Sequence, residues 1–353
     1  IAIAKALLKN FPGAEILYVG TEKGLESKIV PQEGLKFRAV TAEGFDRHSP
    51  VQSLRAVAKL AYGMGQAMKI VRDFAPQVII ATGGYVSVPV AYAGSRAGIP
   101  LILHEQNVIP GRANLFLARR ARAVCLTFEE SASYFRRGPE VVVTGLPVRP
   151  EILAAERDLS RKTLGIDPQK FVILAIGGSR GARRINTAVA GIATVLGRDP
   201  RVFIAWSTGE AGYEEACRML GKETGHIRVM PYIYDMASYL AAADLVIGRA
   251  GATFLAEILA RGLPSILVPY PYATQGHQEK NARLVAKKGA AVVITDSELT
   301  AGRLGRTIEE LLLNRTELQD MAQAARKLGR PEAAENIISV IASAISGGRS
   351  QGD

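Results

Sequence analysis

The sequence predicts an α/β protein built from two Rossmann-like domains, each a doubly wound parallel sheet, with a cleft between them. Three observations support this fold class: short, continuously apolar segments, helical segments between them, and one break in regular structure near the middle of the chain. Continuous apolar runs are typical of parallel strands covered on both faces. Strands that alternate with helices are typical of doubly wound sheets, and 353 residues suffice for two domains.

The apolar segments form two series along the chain. The first series predicts strands at Glu15–Val19, Gln77–Ala81, Leu101–His104, Ala123–Leu126 and Val141–Thr144. The second predicts strands at Phe171–Ile176, Val202–Trp206, Ile227–Met230, Leu245–Ile247, Ser265–Val268 and Ala291–Ile294. Periodic segments between them predict helices that include Leu54–Asp73 and Thr253–Arg261.

The break lies at Thr144–Pro150, TGLPVRP, where glycine and prolines stop regular structure. We therefore predict a first domain over residues 1–146 and a second over residues 147–330. A helix over residues 331–346 can cross back onto the first domain, and residues 347–353 form a polar tail.

Composition and charge narrow the functional classes. With 48% hydrophobic and 22% charged residues, the chain falls outside the collagen-like, disordered and disulfide-rich classes. Cys125 and Cys217 cannot form a disulfide framework. The net charge of +11 is concentrated in residues 1–150, which hold 19 Lys and Arg against 11 Asp and Glu. This excess suggests a phosphate lipid, a nucleic acid or an anionic membrane as partner, or serves solubility alone.

Two glycine loops follow apolar strands. The stronger signal is FVILAIGGSRGARR at Phe171–Arg184, in which a strand leads through a glycine loop into a helix. Such a loop lets backbone N–H groups and a helix N-terminus approach an anion, which suits a diphosphate. The alternative for each loop is an ordinary turn between strand and helix. The loop glycines are Gly83 and Gly84 in the first domain and Gly177, Gly178 and Gly181 in the second.

A third strand–turn–helix segment is DLVIGRAGATFLAEILARG at Asp244–Gly262. Glu257 lies one turn inside its helix, where a carboxylate can accept hydrogen bonds from vicinal ribose hydroxyls. Alternatively, Glu257 only complements the helix dipole.

Polar side chains gather in two further places. The cluster of Gln275, His277, Gln278 and Asn281 suits sugar hydroxyls, and His277 is more simply a hydrogen-bonding partner than a base. The segment His104–Asn107, HEQN, follows a strand at the carboxyl end, where ligand groups of open α/β sheets lie.

Several chemistries lack their sequence signals. The chain has no CxxC pair and no HExxH. No Asp-x-Asp follows a strand to hold a metal diphosphate. We therefore expect metal-free activation of a nucleotide sugar, with a helix N-terminus and cations stabilising the leaving diphosphate.

Six motifs together resemble the MurG family of glycosyltransferases. They are GGYVS (Gly83–Ser87), HEQN (His104–Asn107), G-x-PVR (Gly145–Arg149), GGSRGA (Gly177–Ala182), RAGATxxAE (Arg249–Glu257) and HQ-x-x-NA (His277–Ala282). The resemblance covers essentially the whole chain and implies the GT-B fold and family 28 of the glycosyltransferases. It implies inverting, metal-independent transfer of N-acetylglucosamine from UDP-GlcNAc to the C4 hydroxyl of the MurNAc-pentapeptide of lipid I, which gives lipid II.

The resemblance also implies the substrate contacts. Ile233 would face uracil through its backbone, Glu257 would hold the ribose, and Gln278 would hold GlcNAc. The full set of implied contacts is Asn107, Arg149, Ser179, Ile233, Arg249, Thr253, Phe254, Glu257 and Gln278. UDP-GlcNAc and lipid I (undecaprenyl-pyrophosphoryl-MurNAc-pentapeptide) are substrates, and no cofactor is implied.

The family begins with a strand and a GGTGGH loop that carries a histidine proposed as catalytic. This chain opens with IAIAKALLKN, which reads as the interior of an amphipathic helix, so we expect that strand and loop to precede Ile1. The catalytic residue is thereby unknown, with His104 and Glu105 as candidates.

A membrane-facing surface is implied as well. The helix Leu54–Asp73 carries an apolar stripe among cations, which suits an anionic leaflet, although a helix that only packs on the core has the same pattern. The stripe comprises Leu54, Val57, Leu60, Ala61, Met64, Met68 and Val71, and the cations are Arg55, Lys59, Lys69, Arg72, Arg119, Arg120 and Arg122. We expect a peripheral protein on the cytoplasmic side of the cell membrane that binds the anionic inner leaflet and no nucleic acid.

Three alternatives remain open at this point. The chain could be a UDP-sugar transferase for another lipid. It could be a UDP-GlcNAc 2-epimerase, which shares the two-Rossmann plan and needs no second substrate. It could also be a nucleotide-sugar binder without catalysis.

Overall fold

The computed structural model describes residues 1–42, 50–136, 138–177, 182–221 and 226–347, with the side chains of residues 50–58 and 60 outside the description. The chain forms two compact units. The first contains Ile1–Pro147 and the C-terminal segment that starts at Glu332, and the second contains Val148–Pro331. Each unit is an α/β structure with parallel strands.

The first unit holds six strands in two parallel sheets. Its strands are β1 (Leu17–Gly20), β2 (Lys36–Ala39), β3 (Ile79–Ala81), β4 (Leu101–Glu105), β5 (Ala123–Leu126) and β6 (Glu140–Val143). Its helices are α1 (Ala2–Asn10), α2 (Glu26–Gln32), α3 (Pro50–Phe74), α4 (Ser87–Arg96) and α5 (Arg112–Ala118). One sheet has the order β3-β4-β5-β6, and the other pairs β1 with β2.

This arrangement differs from the single sheet that the sequence predicts for the first domain. Strands β1 and β3 lie on either side of a cavity of about 470 Å³ and belong to separate sheets. The cavity lining is mostly apolar and includes Leu17, Val19 and Ile79. Helix α1 packs with both sheets, because Leu7 lies in a cluster with Ile80 of β3 and Ala4 lies in a cluster with Tyr18 of β1.

The four-stranded sheet is buried on both faces. On one face, Leu101, Leu103 and Val124 form a core with α4 and α5. On the other, Ile102 and Cys125 pack against the last helix of the chain. Burial raises the pKa of the Cys125 thiol to about 12, so this cysteine is an unreactive core residue.

The second unit has six parallel strands in one sheet, of order β12-β11-β10-β7-β8-β9. They are β7 (Phe171–Ile176), β8 (Val202–Ser207), β9 (Ile227–Met230), β10 (Leu245–Gly248), β11 (Ser265–Leu267) and β12 (Ala291–Val293). Numbered within the unit, this is the 3-2-1-4-5-6 order of a dinucleotide-binding Rossmann sheet, whose strand order reverses between β7 and β10. Ligands of such sheets bind outside the carboxyl ends of the strands at this reversal.

The remaining helices cover this sheet and close the chain. They are α6 (Pro150–Ala154), α7 (Arg157–Thr163), α8 (Arg183–Leu196), α9 (Tyr213–Leu220), α10 (Met236–Ala242), α11 (Ala252–Ala260), α12 (His277–Lys287), α13 (Ala301–Leu313), α14 (Arg315–Leu328) and α15 (Ala333–Ser346). One core of the unit forms where α8 and α13 pack on the sheet, around Trp206 and Ile185. Helix α15 belongs to the first unit, where Ile337 and Ile341 contact its sheet.

Each strand that the sequence predicts is present, and within the described ranges β2 is the strand that it misses. Strand β2 is a mostly exposed edge strand with charged residues at Lys36 and Arg38, so it has no continuous apolar run to detect. Among the described residues, every helix is too short or too polar to cross a lipid bilayer.

The apolar residues predicted to form one stripe on α3 are partly buried and partly exposed. Val71 is buried, packs with Ala67 in the core and therefore does not belong to an exposed stripe. Met68, by contrast, is 56% exposed. The side chains of Leu54, Arg55, Val57 and Leu60 lie outside the described part of the chain.

Candidate functional site

In the second unit, the predicted loops follow the two strands at which the strand order reverses. Gly248 at the end of β10 pairs in register with Ile176 at the end of β7. Gly177 follows β7 directly, and Arg249 follows β10. The neighbouring loop residues Gly178, Ser179 and Gly181 lie outside the described residues. The glycine loop after β7 and the turn after β10 therefore leave adjacent strands at the edge where an open α/β sheet binds its ligand.

Glu257 lies on α11, which begins at the turn after β10. It is 5% exposed, and its Oε1 accepts a 3.0 Å hydrogen bond from Nε of Arg149, the residue that precedes α6. Burial raises the pKa of Glu257, and the Arg149 cation opposes that rise. Oε2 of Glu257 and both terminal nitrogens of Arg149 have no hydrogen-bond partner among the residues that the structure describes. The pair therefore offers one acceptor and a set of donors to a ligand.

A second contact holds α6 against α11. Arg261 lies four residues after Glu257, and its Nη1 donates to the carbonyls of Ile152 and Leu153, each at 3.3 Å. Helix α6 is thereby bound to α11 near both of its ends, which fixes the position of Arg149. No local motif assigns Arg261 a role, because neither carbonyl lies near it in the chain.

Arg249 is turned toward the protein. Its Nη1 donates to the carbonyls of Val268 and Pro269, each at 3.1 Å, and to Oδ1 of Asp296 at 2.7 Å. The guanidinium carbon also lies 5.5 Å from the ring centre of Tyr270. Arg249 therefore holds the segment that follows β11. This role is additional to the substrate contact that the resemblance implies.

Gln278 lies in the first turn of α12 and is linked to the same segment. Its Oε1 accepts a 2.9 Å hydrogen bond from the backbone N–H of Tyr270. The nearby His277 has a buried Nδ1 without a hydrogen-bond partner within the described residues. The bond to Tyr270 fixes which way round the Gln278 amide lies.

The other predicted contacts of the second unit lie at the same edge of the sheet. Thr253 is exposed in the first turn of α11, and the half-buried Phe254 packs on Gly248. Ile233 follows β9 and is 4% exposed, so only its backbone could face a base. The exposed Thr253 on α11 and the buried Ile233 after β9 thus both lie at this edge.

In the first unit, the HEQN segment begins with His104 and Glu105, the last two residues of β4, and both side chains are buried. His104 is 1% exposed, and its Nε2 lies 2.9 Å from the carbonyl of Gly145. Its Nδ1 lies 3.2 Å from Nε2 of Gln106, which also donates to the carbonyl of Thr82. Burial lowers the pKa of His104, which keeps the ring neutral. His104 therefore braces the segment, and this bonding argues against its candidacy as the catalytic base.

Glu105 is 2% exposed and binds the loop that follows it. Its Oε1 accepts from the backbone N–H of Asn107 at 3.0 Å, and its Oε2 accepts from the backbone N–H of Gly111 at 3.0 Å. Oε2 also accepts from Nδ2 of Asn114 at 2.7 Å. These bonds occupy both carboxylate oxygens with groups of the following loop, which argues for a positioning residue rather than for the catalytic candidate.

The first glycine loop rests on the same network. Gly83 and Gly84 have φ values of +89° and +78°, which a residue with a Cβ rarely adopts. A Cβ on Gly83 would also lie 3.3 Å from the Asn114 amide. The loop after β3 and the HEQN segment are therefore one packed structure at the carboxyl edge of the first unit's sheet.

The described part of the chain contains no group of three or more His, Cys, Asp or Glu residues placed to hold a metal ion. Sequence reasoning missed Asn114, Arg261 and Asp296, which hold the predicted residues in place. Each of them acts through a partner that is remote in the chain, so a local motif could not reveal it.

Both halves of the chain match known protein families. The glycosyltransferase family 28 N-terminal domain matches residues 1–126, and the glycosyltransferase family 28 C-terminal domain matches residues 172–337. Together the two matches cover most of the sequence.

Curated relatives are similar over almost their whole length. A protein of Moorella thermoacetica named UDP-N-acetylglucosamine--N-acetylmuramyl-(pentapeptide) pyrophosphoryl-undecaprenol N-acetylglucosamine transferase is 49% identical over 99% of this chain and 95% of its own. A protein of the same name from Desulforamulus reducens is 45% identical over 97% of this chain and 93% of its own.

Solved structures show the same fold. The crystal structure of Acinetobacter baumannii MurG superposes with a TM-score of 0.80 at 28% identity, over 97% of this chain and 94% of that one. A putative UDP-N-acetylglucosamine 2-epimerase from Listeria monocytogenes gives a TM-score of 0.66 at 15% identity, over 97% of this chain and 92% of that one, and is alike in fold alone. The predicted α/β fold of two parallel-sheet Rossmann-like units is confirmed.

Proposed function

The chain belongs to glycosyltransferase family 28, and we propose that it transfers N-acetylglucosamine from UDP-GlcNAc to the MurNAc-pentapeptide of lipid I. The product of this reaction is lipid II. The names of the curated relatives describe this transfer, and their similarity extends over both units. One structural observation carries the proposal: a buried carboxylate, Glu257, and a cation, Arg149, meet at the ligand edge of the second unit's sheet.

The pair suits the two polar parts of UDP. The unbonded oxygen of Glu257 can accept hydrogen bonds from ribose hydroxyls, which are donors. The terminal nitrogens of Arg149 can donate to phosphate oxygens, and the N-terminus of α11 adds its dipole. The backbone near Ile233 faces the base, and the side chain of Gln278 faces the sugar. The donor would thus lie along one edge of one unit.

The reaction follows from this placement. The C4 hydroxyl oxygen of the acceptor attacks the anomeric carbon of GlcNAc, and the bond between that carbon and the β-phosphate oxygen breaks. UDP leaves with the bonding electron pair, and the hydroxyl proton passes to a general base. Attack opposite the leaving group inverts the anomeric configuration. Arg149 and the helix N-terminus stabilise the charge that develops on UDP.

We further propose that the transfer needs no divalent metal. The cations and helix N-termini at the site can carry the leaving diphosphate. Activity in excess EDTA should equal activity without it, and a loss that Mg²⁺ restores would overturn this part of the mechanism.

We propose that the first unit binds an anionic membrane surface on the cytoplasmic side, where a lipid acceptor would lie. Tyr62 and Met68 on α3 are 65% and 56% exposed, and Lys69 and Arg72 are exposed on the same helix. Phe116 is 57% exposed at the end of α5 and lies close to Arg119 and Arg120 in the chain. Apolar groups among cations are what an anionic interface attracts.

The identity of the glycosylated lipid distinguishes the proposed transfer from transfer to another lipid. Incubation with UDP-GlcNAc and lipid I should yield UDP and a lipid that is heavier by one N-acetylhexosamine residue, measured by mass spectrometry. A parallel incubation contains diacylglycerol in place of lipid I and tests for another lipid acceptor. Glycosylation of diacylglycerol with no reaction on lipid I would contradict the proposal.

The 2-epimerase alternative rests on fold likeness to proteins such as that of Listeria monocytogenes. An epimerase would convert UDP-GlcNAc alone into UDP-N-acetylmannosamine. Incubation without any acceptor, followed by chromatography of the sugar nucleotides, should show unchanged UDP-GlcNAc. Formation of the manno product would favour the epimerase.

A further inference from the structure

We propose that Asp296 is a positioning residue for recognition of the donor sugar, because it holds Arg249, which holds the segment that orients Gln278. The inference rests on the proposed function and deepens it. It assigns to a residue after β12 a part in distinguishing UDP-GlcNAc from UDP.

The first link is a shielded ion pair. Nη1 of Arg249 lies 2.7 Å from Oδ1 of Asp296, and the two side chains are 15% and 16% exposed. Oδ2 of Asp296 lies 3.5 Å from Nε of Arg184 on α8. Asp296 thus joins the helix that follows the first glycine loop of this unit to the turn that follows β10. A pair so little exposed is screened less by water than a pair on the open surface, so its attraction is stronger.

The second link runs from Arg249 to the segment after β11. Nη1 of Arg249 donates to the carbonyls of Val268 and Pro269. These carbonyls follow the last residue of β11, Leu267, where the ladder to its neighbours ends. Asp296 fixes the side chain that makes both contacts, so its carboxylate sets the path of this segment.

The third link reaches the sugar side of the site. The next residue, Tyr270, donates its backbone N–H to Oε1 of Gln278 at 2.9 Å. This bond commits the amide oxygen, so Nε2 is the group left to face a ligand. An amide held in this orientation selects hydrogen-bond acceptors, such as a hydroxyl or an acetamido oxygen of the donor sugar.

A merely structural role for Asp296 makes a different prediction. Loss of the ion pair would then loosen the unit and weaken UDP-GlcNAc and UDP alike. If Asp296 acts through Gln278, its loss weakens the sugar-bearing ligand and leaves UDP binding almost unchanged. The effect also disappears when Gln278 is already absent.

The experiment is a double-mutant cycle on the full chain, read by calorimetry with UDP-GlcNAc and with UDP. Asp296→Asn and Gln278→Ala should each weaken UDP-GlcNAc about five- to tenfold, the usual effect of one lost hydrogen bond. The double variant should be no weaker than Gln278→Ala, and UDP affinity should stay near wild type in all three. Additive losses, or equal losses for both ligands, would overturn the proposal.

Two further variants secure the test. Arg249→Met removes all three donations of Nη1, so it should reproduce the cycle, and it decides the proposal if Asp296→Asn does not fold. Arg283→Gln removes an exposed pair with Glu279 on the same helix as Gln278 and should leave both affinities unchanged. A wild-type chain that binds neither ligand would refute the proposed function itself, which separates the two failures.

Discussion

Nε of Arg149 lies 3.0 Å from Oε1 of Glu257, although 108 residues separate the two in the chain. The pair joins the residue before α6 to α11, and Arg261 binds the same two helices one turn further on. The cation keeps a buried carboxylate closer to its ionised form. The proposed donor site therefore contains a buried carboxylate whose ionised form is stabilised by the guanidinium of Arg149.

The pH dependence of donor binding should report this charge. Burial raises the pKa of Glu257 and Arg149 lowers it, so Arg149→Met should raise that pKa further. If the ionised carboxylate holds the ribose, as proposed, affinity for UDP-GlcNAc is present above this pKa and is lost as the pH falls through it. In Arg149→Met the loss should begin at a higher pH than in the wild type. Calorimetry between pH 5 and pH 8 checks this, with Arg283→Met as control, and superimposable normalised profiles would contradict it.

Glu257→Gln removes the charge and keeps the shape. Hydrogen bonds to a charged group contribute about 1.5–3 kcal/mol, so UDP-GlcNAc affinity should fall by about one to two orders of magnitude. The fold should tolerate the change, because burial already disfavours the ionised form. Titration and thermal unfolding measure the two effects, and Glu279→Gln on the exposed side of α12 is the matched control. Unchanged affinity would refute the ribose role.

Glu105→Gln should act on the first unit. The carboxylate accepts hydrogen bonds from Asn107, Gly111 and Asn114, and a glutamine would place an N–H group against some of these donors. We expect transfer to lipid I to fall steeply while UDP affinity stays at the wild-type level, since UDP would bind to the other unit. Steady-state transfer and calorimetry on the same preparation give both values. Parallel losses of transfer and UDP binding would contradict this division of roles.

Membrane binding should depend on the cations of α3. Reversal of Lys69 and Arg72 to Glu should weaken binding to anionic vesicles by at least tenfold, because each cation near such a surface contributes about 1 kcal/mol. Binding of the wild type should also fall as salt rises, since the screening length at physiological ionic strength is about 8 Å. Vesicle sedimentation measures both. The same reversal at Arg303 and Arg306 of the second unit should have little effect, and equal losses for the two variants would argue against this surface.

Features of the fold and the site that depend on local sequence patterns could be predicted from the sequence. Strands such as β5, β7 and β9 have the predicted bounds because each is an apolar run with a sharp end. The site motifs were found for a similar reason, since a glycine turn and a helix start leave local signals. Strand β2 was missed because it is an exposed edge whose residues alternate with charges.

The contacts that organise the site were beyond local reasoning. Arg249 was predicted to contact substrate, yet its Nη1 donates to Val268, Pro269 and Asp296, which become its neighbours only when β10, β11 and β12 form one sheet. Likewise, His104 and Glu105 carry catalytic residue types, and only the folded chain shows them buried and bonded to backbone groups. Residue type and spacing predict which groups lie at the site, and packing decides what those groups can do.

Hydrogen exchange measured with and without UDP-GlcNAc tests the central claim most directly, because it shows which unit holds the donor. Ligand binding slows exchange where backbone groups are covered or stabilised. We predict that UDP-GlcNAc slows exchange mainly in two segments of the second unit, residues 249–257 and 268–278, with weaker protection in the first unit. Protection confined to residues 82–87 and 104–111 of the first unit, with the second unit unchanged, would contradict the account.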